Sequence, residues 1–288
     1  MLANRVVTAT LLAVLTACGG SSSDTDSVHP STAQPSSADP TALVGQWFVA
    51  ADGEEPHAIL TIGDRVDGGL LLYRDCGTLF GDWRANAHAM FVGDIGGGSS
   101  NCFENHRSPL PTWMAMVTGF RQDGDTELLL GSHGETVATL TKGAHPSPQP
   151  DAVPEYASPP VVSSDLRKAF AEPDPLPADV QPARAGDVLG RWLPMPEDRP
   201  EGFEGKAYVT FDADGSYKGS DGCNGVGSRY EIGPDGLILA TSGATTLVGC
   251  DNSPLPDWPA QSGRVGLRSG HLIFVDPAGK ILGEAVRA

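Results

Sequence analysis

Basic side chains are scarce in this chain: 19 Lys and Arg stand against 36 Asp and Glu, a formal net charge of -17. A field of that sign repels phosphate, which excludes nucleic acid as a partner. Beyond the first fifteen residues no apolar run is long enough to span a bilayer. Cysteine is limited to five, with no CxxC spacing, which argues against a zinc site. There is no G-x-S-x-G elbow for nucleophilic hydrolysis, and no P-loop lysine follows the glycine-rich run 93–100. Asp212-Ala213-Asp214-Gly215 begins like a calcium loop, but Cys223 falls where the twelfth-position glutamate belongs. Gly131-Ser132-His133-Gly134 sets a serine beside a histidine, and reads as a hairpin turn. His57, His88, His106 and His133 lie in one half of the chain against His271 alone in the other, which rules out a duplicated imidazole site. No metal and no cofactor are expected.

What is present begins with an address. Met1 to Arg5 carries one positive charge, Val6 to Leu15 is apolar but too short for a stable span, and Leu15-Thr16-Ala17-Cys18 follows. This order resembles the signal and lipobox of bacterial lipoproteins. The resemblance implies cleavage before Cys18, a thioether diacylglyceryl on its sulfur and acylation of the new amino terminus, palmitate included. Two or three acyl chains make a durable anchor. The expected place is the bacterial cell envelope, on the outer face of the plasma membrane, with 1–17 as signal peptide and 18–42 as a lipidated, Ser/Thr/Pro-rich tether.

Glycine at 36 and proline at 24 suit short strands joined by tight turns. Ala207 to Phe211, the turn Asp212 to Gly215 and Ser216 to Gly219 read as a hairpin. So do Arg229 to Ile232 with Leu237 to Ala240, His271 to Val275 with Lys280 to Gly283, and Glu127 to Leu130 with Thr136 to Leu140. Landmarks repeat at nearly one offset. Val44-Gly45-Gln46-Trp47 returns 145 residues later as Leu189-Gly190-Arg191-Trp192, and Leu110-Pro111-Thr112-Trp113 returns at the same offset as Leu255-Pro256-Asp257-Trp258. Asp75-Cys76-Gly77 answers to Gly222-Cys223-Asn224 at 147, and Cys102 to Cys250 at 148. The chain therefore reads as a duplication, 43–142 and 187–288, each segment just able to support its own core. Four cysteines in an exported chain suggest two disulfides, and the nearly equal separations of 26 and 27 pair Cys76 with Cys102 and Cys223 with Cys250. The proline-rich stretch 143–186 reads as a linker. Inside it Ser163 caps a short helix whose Leu166 and Phe170 can dock on a neighbour.

The run of Trp192, the Phe211-Asp-x-Asp-Gly hairpin, Gly222-Cys223-Asn224, Gly227 with Tyr230, Thr245-Thr246 and Cys250 resembles the META domain of HslJ-like heat-shock lipoproteins. The likeness covers roughly 187–288, and 43–142 looks like a diverged copy, with Asp75-Cys76-Gly77 in place of Gly-Cys-Asn. Pro259 beside Trp258 shortens the helix the family carries there. The resemblance implies a mainly β, β-rich α+β fold: two small curved-sheet domains in tandem, each with a short helix or helical turn. It implies envelope stress and antibiotic tolerance as a setting, and no catalytic residues. The expected protein is a non-enzymatic, lipid-anchored envelope protein that binds an unidentified ligand or protein partner. A lipid- or small-ligand carrier and a hydrolase with no nameable site are the alternatives.

Overall fold

The alternating segments of each half fold as one antiparallel meander. In the first half β1 (Gly45–Ala51), β2 (Ile59–Ile62), β3 (Leu70–Arg74), β4 (Gly77–Ala85) and β5 (Phe91–Gly98) follow one another. After α1 (Thr112–Ala115) come β6 (Gly119–Asp123), β7 (Thr126–Leu130) and β8 (Thr136–Lys142). Between the halves lie α2 (Ser164–Ala169), β9 (Gln181–Pro182) and α3 (Ala185–Val188). The second half holds β10 (Gly190–Pro194), β11 (Tyr208–Phe211), β12 (Ser216–Ser220), β13 (Gly225–Ile232), β14 (Ile238–Ala240), α4 (Trp258–Gln261), β15 (Arg264–Arg268), β16 (His271–Val275) and β17 (Ile281–Arg287). This computed structural model describes residues 38–64, 69–99, 101–103, 110–147, 157–196, 207–246, 248–249 and 252–288, all of one compact unit. The signal and lipobox with Cys18, His106 and Cys250 lie outside the described residues.

The architecture is mainly β. The sheets run β5-β4-β3-β2-β1-β8-β7-β6 and β14-β13-β12-β11-β10-β17-β16-β15-β9, the same order but for the added β9. Register repeats as well. Trp47 faces Lys142 as Trp192 faces Arg287, Trp83 faces Gly93 as Tyr230 faces Ala240, and Phe120 faces Leu129 as Val265 faces Phe274. The sheet ends also meet. Bridges Met90 to Gly119 and Leu237 to Arg264, with Phe91 N–H donating to Thr118 O at 3.0 Å and Ile238 N–H to Gly263 O at 3.1 Å, close each sheet into an eight-stranded up-and-down barrel. Closure satisfies the edge groups that an open sheet would expose.

Eight strands leave an interior about wide enough for side chains to fill. Trp47, Leu60, Trp83, Phe91 and Leu129 fill the first, and Trp192, Phe211, Tyr217, Trp258 and Phe274 the second. Each entering strand is pinned by the same device. The Trp47 indole N–H donates to Leu43 O at 2.9 Å from the 3-10 turn Pro40–Leu43, and that of Trp192 to Val188 O at 2.6 Å from α3. One interior position departs from the pattern: Glu127 of β7 stands where β16 has the fully buried Leu272. Its Oε2 is buried without a hydrogen bond, and burial raises its carboxyl above the ordinary range, outweighing the attraction of Lys142.

The stretch expected as a linker is packed against both barrels. Ser163 caps α2 by accepting from Leu166 N–H at 3.0 Å, and Leu166 and Phe170 enter the first core, where Phe170 lies 5.7 Å from Trp83 between ring centroids. Beyond it Val180 and Leu176 cover Ile273 and Val275, β9 adds to β15, and Ala183 joins the second core. Proline removes N–H donors but leaves neighbouring apolar side chains free to pack. A second unit cut at 187 would thus lack β9 and Ala183, which belong to its sheet and core.

Two outcomes follow. Phe170→Ala is expected to cost about 3 kcal/mol in equilibrium denaturation, the usual loss for a truncated core aromatic. Glu127→Leu is expected to gain about 2 kcal/mol at neutral pH. With the folded carboxyl raised, ionisation costs stability as pH rises past the ordinary glutamate range, so the gain should fade as pH drops below it.

Candidate functional site

Strands 4 and 5 of one barrel meet strands 4 and 5 of the other: β5 packs on β13, and β14 on β4. Using one patch on both partners is the geometry of a two-fold interface, here within a single chain. The shared register sets Trp83 against Tyr230 in the alignment of halves, so Asp82 corresponds to Arg229 and Arg84 to Glu231. The charges at both positions are reversed. At these two positions each meeting face thus carries one acid and one arginine, in opposite order.

The seam is polar. Asp82 Oδ2 accepts from Ser242 N–H at 2.8 Å, and Asp94 Oδ2 accepts from the Ser228 hydroxyl at 2.7 Å. Within the first barrel Gly81, at a β-bulge, permits the close approach of β4 to β5: a Cβ there would sit 1.6 Å from Asp94 O. Burial raises the Asp94 carboxyl, although the Ser228 and Ile95 hydrogen bonds and Arg229 favour the anion. Each short helix of one barrel receives an arginine from the other. Arg229 Nη2 donates to Ala115 O at 2.6 Å, and Arg84 Nη2 to Ala260 O at 3.4 Å while its Nε reaches Ala240 O at 3.3 Å. At one side Glu172 joins His88, at 2.6 Å, to Arg264.

Of the cavities along this seam, two lie at corresponding places. The smaller, about 250 Å³, lies beside Arg84 between β14, α4 and the segment after α2. The larger, about 460 Å³, lies between α1, the turns at Ser132 and Asp214, and Arg229 to Ile232 of β13. Burial pushes the Glu231 carboxyl up to about 7, with Arg229 pulling the other way. Among the described residues nothing hydrogen-bonds to it. Asp214 is held below the ordinary range, chiefly by the Ser216 hydroxyl and its N–H.

Apart from Tyr230, which also lines the larger cavity, the residues singled out from the sequence fall elsewhere. Trp192, Phe211 and Tyr230 are in the second core, the Tyr230 hydroxyl donating to Asp212 O at 2.9 Å; burial chiefly, with Glu231 beside it, takes that phenol to about 12. The Cys76–Cys102 disulfide is present and ties the β3–β4 turn to the segment beyond β5, a loop closure worth about 3–4 kcal/mol. Cys223 is also disulfide-bonded, and the cysteines left to pair with it, Cys18 and Cys250, lie outside the described residues. Gly222, Cys223 and Asn224 form a loop around Asp221. Its Oδ1 accepts from the N–H groups of Cys223 and Asn224 at 2.7 and 2.5 Å, its Oδ2 from the Asn224 and Asn252 amides at 2.9 and 2.7 Å. Burial would raise this carboxyl, but these bonds overcome it and hold it at about 2. Asn224 then holds the segment after β14, accepting from Val248 N–H at 2.7 Å and donating to Val248 O at 3.0 Å. The loop is a structural clasp, whereas Arg84, Arg229 and Glu231 carry no motif by which the sequence marks them. Among the described residues no group of three or more His, Cys, Asp or Glu could hold a metal ion. Compared with protein families, curated proteins and solved structures, the chain matches none.

Asp221→Ala is expected to lower stability by about 3 kcal/mol at neutral pH, because hydrogen bonds to a charged group are lost and their donors stranded. The wild-type contribution is complete above pH 3.8 and fades as pH falls towards 2. Glu231 has the opposite sign. Its folded carboxyl titrates at about 7 against an ordinary 4.5, so its ionisation destabilises the fold as pH rises through that window. Glu231→Gln should therefore gain about 2 kcal/mol on wild type between pH 4.5 and pH 8, read by denaturant titration at each pH.

Proposed function

We propose that this is a non-enzymatic, lipid-anchored envelope protein of two tandem META-like units, tethered through Cys18 on the outer face of the plasma membrane and acting as a binding module. The observation that carries the reading is the shared strand order and register of the two halves, with interiors filled by side chains and cavities left at the seam between them. Two copies of one scaffold set face to face make surfaces that neither copy has alone, which suits recognition. The lipobox-like Leu15 to Cys18 and the Ser-rich run behind it supply the address. The META likeness, carried by Trp192, Phe211, Gly222-Cys223-Asn224 and Tyr230, adds the setting of envelope stress. A binding role needs no nucleophile, and the charged groups at the seam are arranged for complementarity.

Cys18→Ser is expected to abolish incorporation of labelled palmitate and to move the protein out of the detergent phase of an envelope extract. Unchanged acyl labelling of the variant would overturn the anchor. Native mass spectrometry of protein released gently from envelopes tests the binding role, which predicts a co-purifying mass that dissociates on unfolding.

A further inference from the structure

Acids outnumber bases 36 to 19 in the chain, and the larger seam cavity follows that balance, with Glu231, Asp214 and Glu135 against Arg229. The smaller one departs from it. Its charged lining residues are Arg84 and Lys168, and no carboxylate is among the described residues of its wall. Glu172 stands between two of those residues, Ala171 and Pro173, but is spent on His88 and Arg264. Asp82, the one acid of β4, accepts from Ser242 N–H and is no part of the wall either.

We propose that the smaller cavity is the binding site of a small organic anion, a monocarboxylate with a short apolar tail. This names a ligand class for the binding role above and rests on it. Three side chains bring N–H donors to the cavity. Arg84 donates to Ala240 O and Ala260 O at 3.3 and 3.4 Å, neutral carbonyls that occupy donors without cancelling the positive charge. Lys168 pairs with Asp165 at 2.9 Å, but the two side chains are 78 % and 82 % exposed, and an ion pair in water holds its partners weakly, so the ammonium can turn to a second anion. Gln261 adds an amide to which nothing among the described residues hydrogen-bonds, whereas Asn86 and Ser262 are spent on Met90, His88 and Trp258. The rest of the wall decides which anion fits. Ala169, Ala171, Leu237, Leu239 and Pro277 present mostly carbon, which suits an alkyl chain and would leave oxygens of inorganic phosphate without donors. The volume, about 250 Å³, is that of about eight liquid waters, enough for a ligand of this size.

The test is a titration of the full-length chain with sodium butyrate at neutral pH, following the labelled methyls of Leu239 by NMR, with n-butanol and n-butylammonium chloride at matched ionic strength as controls. Butyrate is expected to shift Leu239 saturably and to bind about tenfold more tightly than butanol, butylammonium giving no saturable shift. Lys168→Glu, at an exposed position where folding is safe, should weaken butyrate about tenfold. Ala169→Trp, on the exposed last residue of α2, places an indole in the cavity and should abolish binding measured by calorimetry. Unmoved Leu239 methyls, equal binding of butanol, or unchanged affinity in either variant would each overturn the proposal. A mass that co-purifies from envelopes equally with wild type and Ala169→Trp would leave the binding role standing and overturn this site alone.

Discussion

Charge that leaves water must find a partner, and at the seam between the two barrels this constraint fixes how the halves sit. Asp82 and Asp94 are drawn from solvent by the facing strands, and the groups that receive them, Ser242 N–H and the Ser228 hydroxyl, belong to the other barrel. Rotation or sliding of one barrel would strand at least one carboxylate. Arg84 and Arg229 add the converse tie, each serving a helix-end carbonyl across the divide. At corresponding positions the acid and the arginine exchange places, so the two meeting faces are not copies of one another.

Much of the barrel was legible in the sequence. Tryptophan strands, glycine turns and the near-constant offset mark one unit used twice, because local patterning and turn chemistry are written in adjacent residues. The Cys76–Cys102 disulfide follows from the same offset reasoning. What could not be read is what joins residues far apart. Closure of each sheet depends on single bridges, Met90 to Gly119 and Leu237 to Arg264, across intervals with no periodic signal. The proline-rich stretch misleads in a specific way: its composition reads as a linker, while α2 and β9 form within it and Leu166, Phe170 and Val180 pack their side chains onto the barrels.

The candidate site was the least legible part. Gly222-Cys223-Asn224 draws the eye as a motif, yet its hydrogen bonds are spent inward on Asp221, Thr246 and Val248. The residues that shape the cavities, Arg84, Arg229 and Glu231, sit on ordinary strands with nothing in their neighbours to mark them. Only pairing two hairpins from opposite ends of the chain reveals that they correspond. Glu127 is hidden in the same way, because its oddity appears only beside Leu272.

The segment between the barrels serves both. Phe170 stoppers the first interior, and eleven positions later Gln181 begins the strand that widens the second sheet, with Glu172 pinned between them by Arg264. Neither barrel can open without dislodging a piece the other needs. Such an arrangement is expected to melt as a single cooperative event, and a chain nicked here to keep both fragments held, because the cut ends stay anchored on opposite sides of the seam.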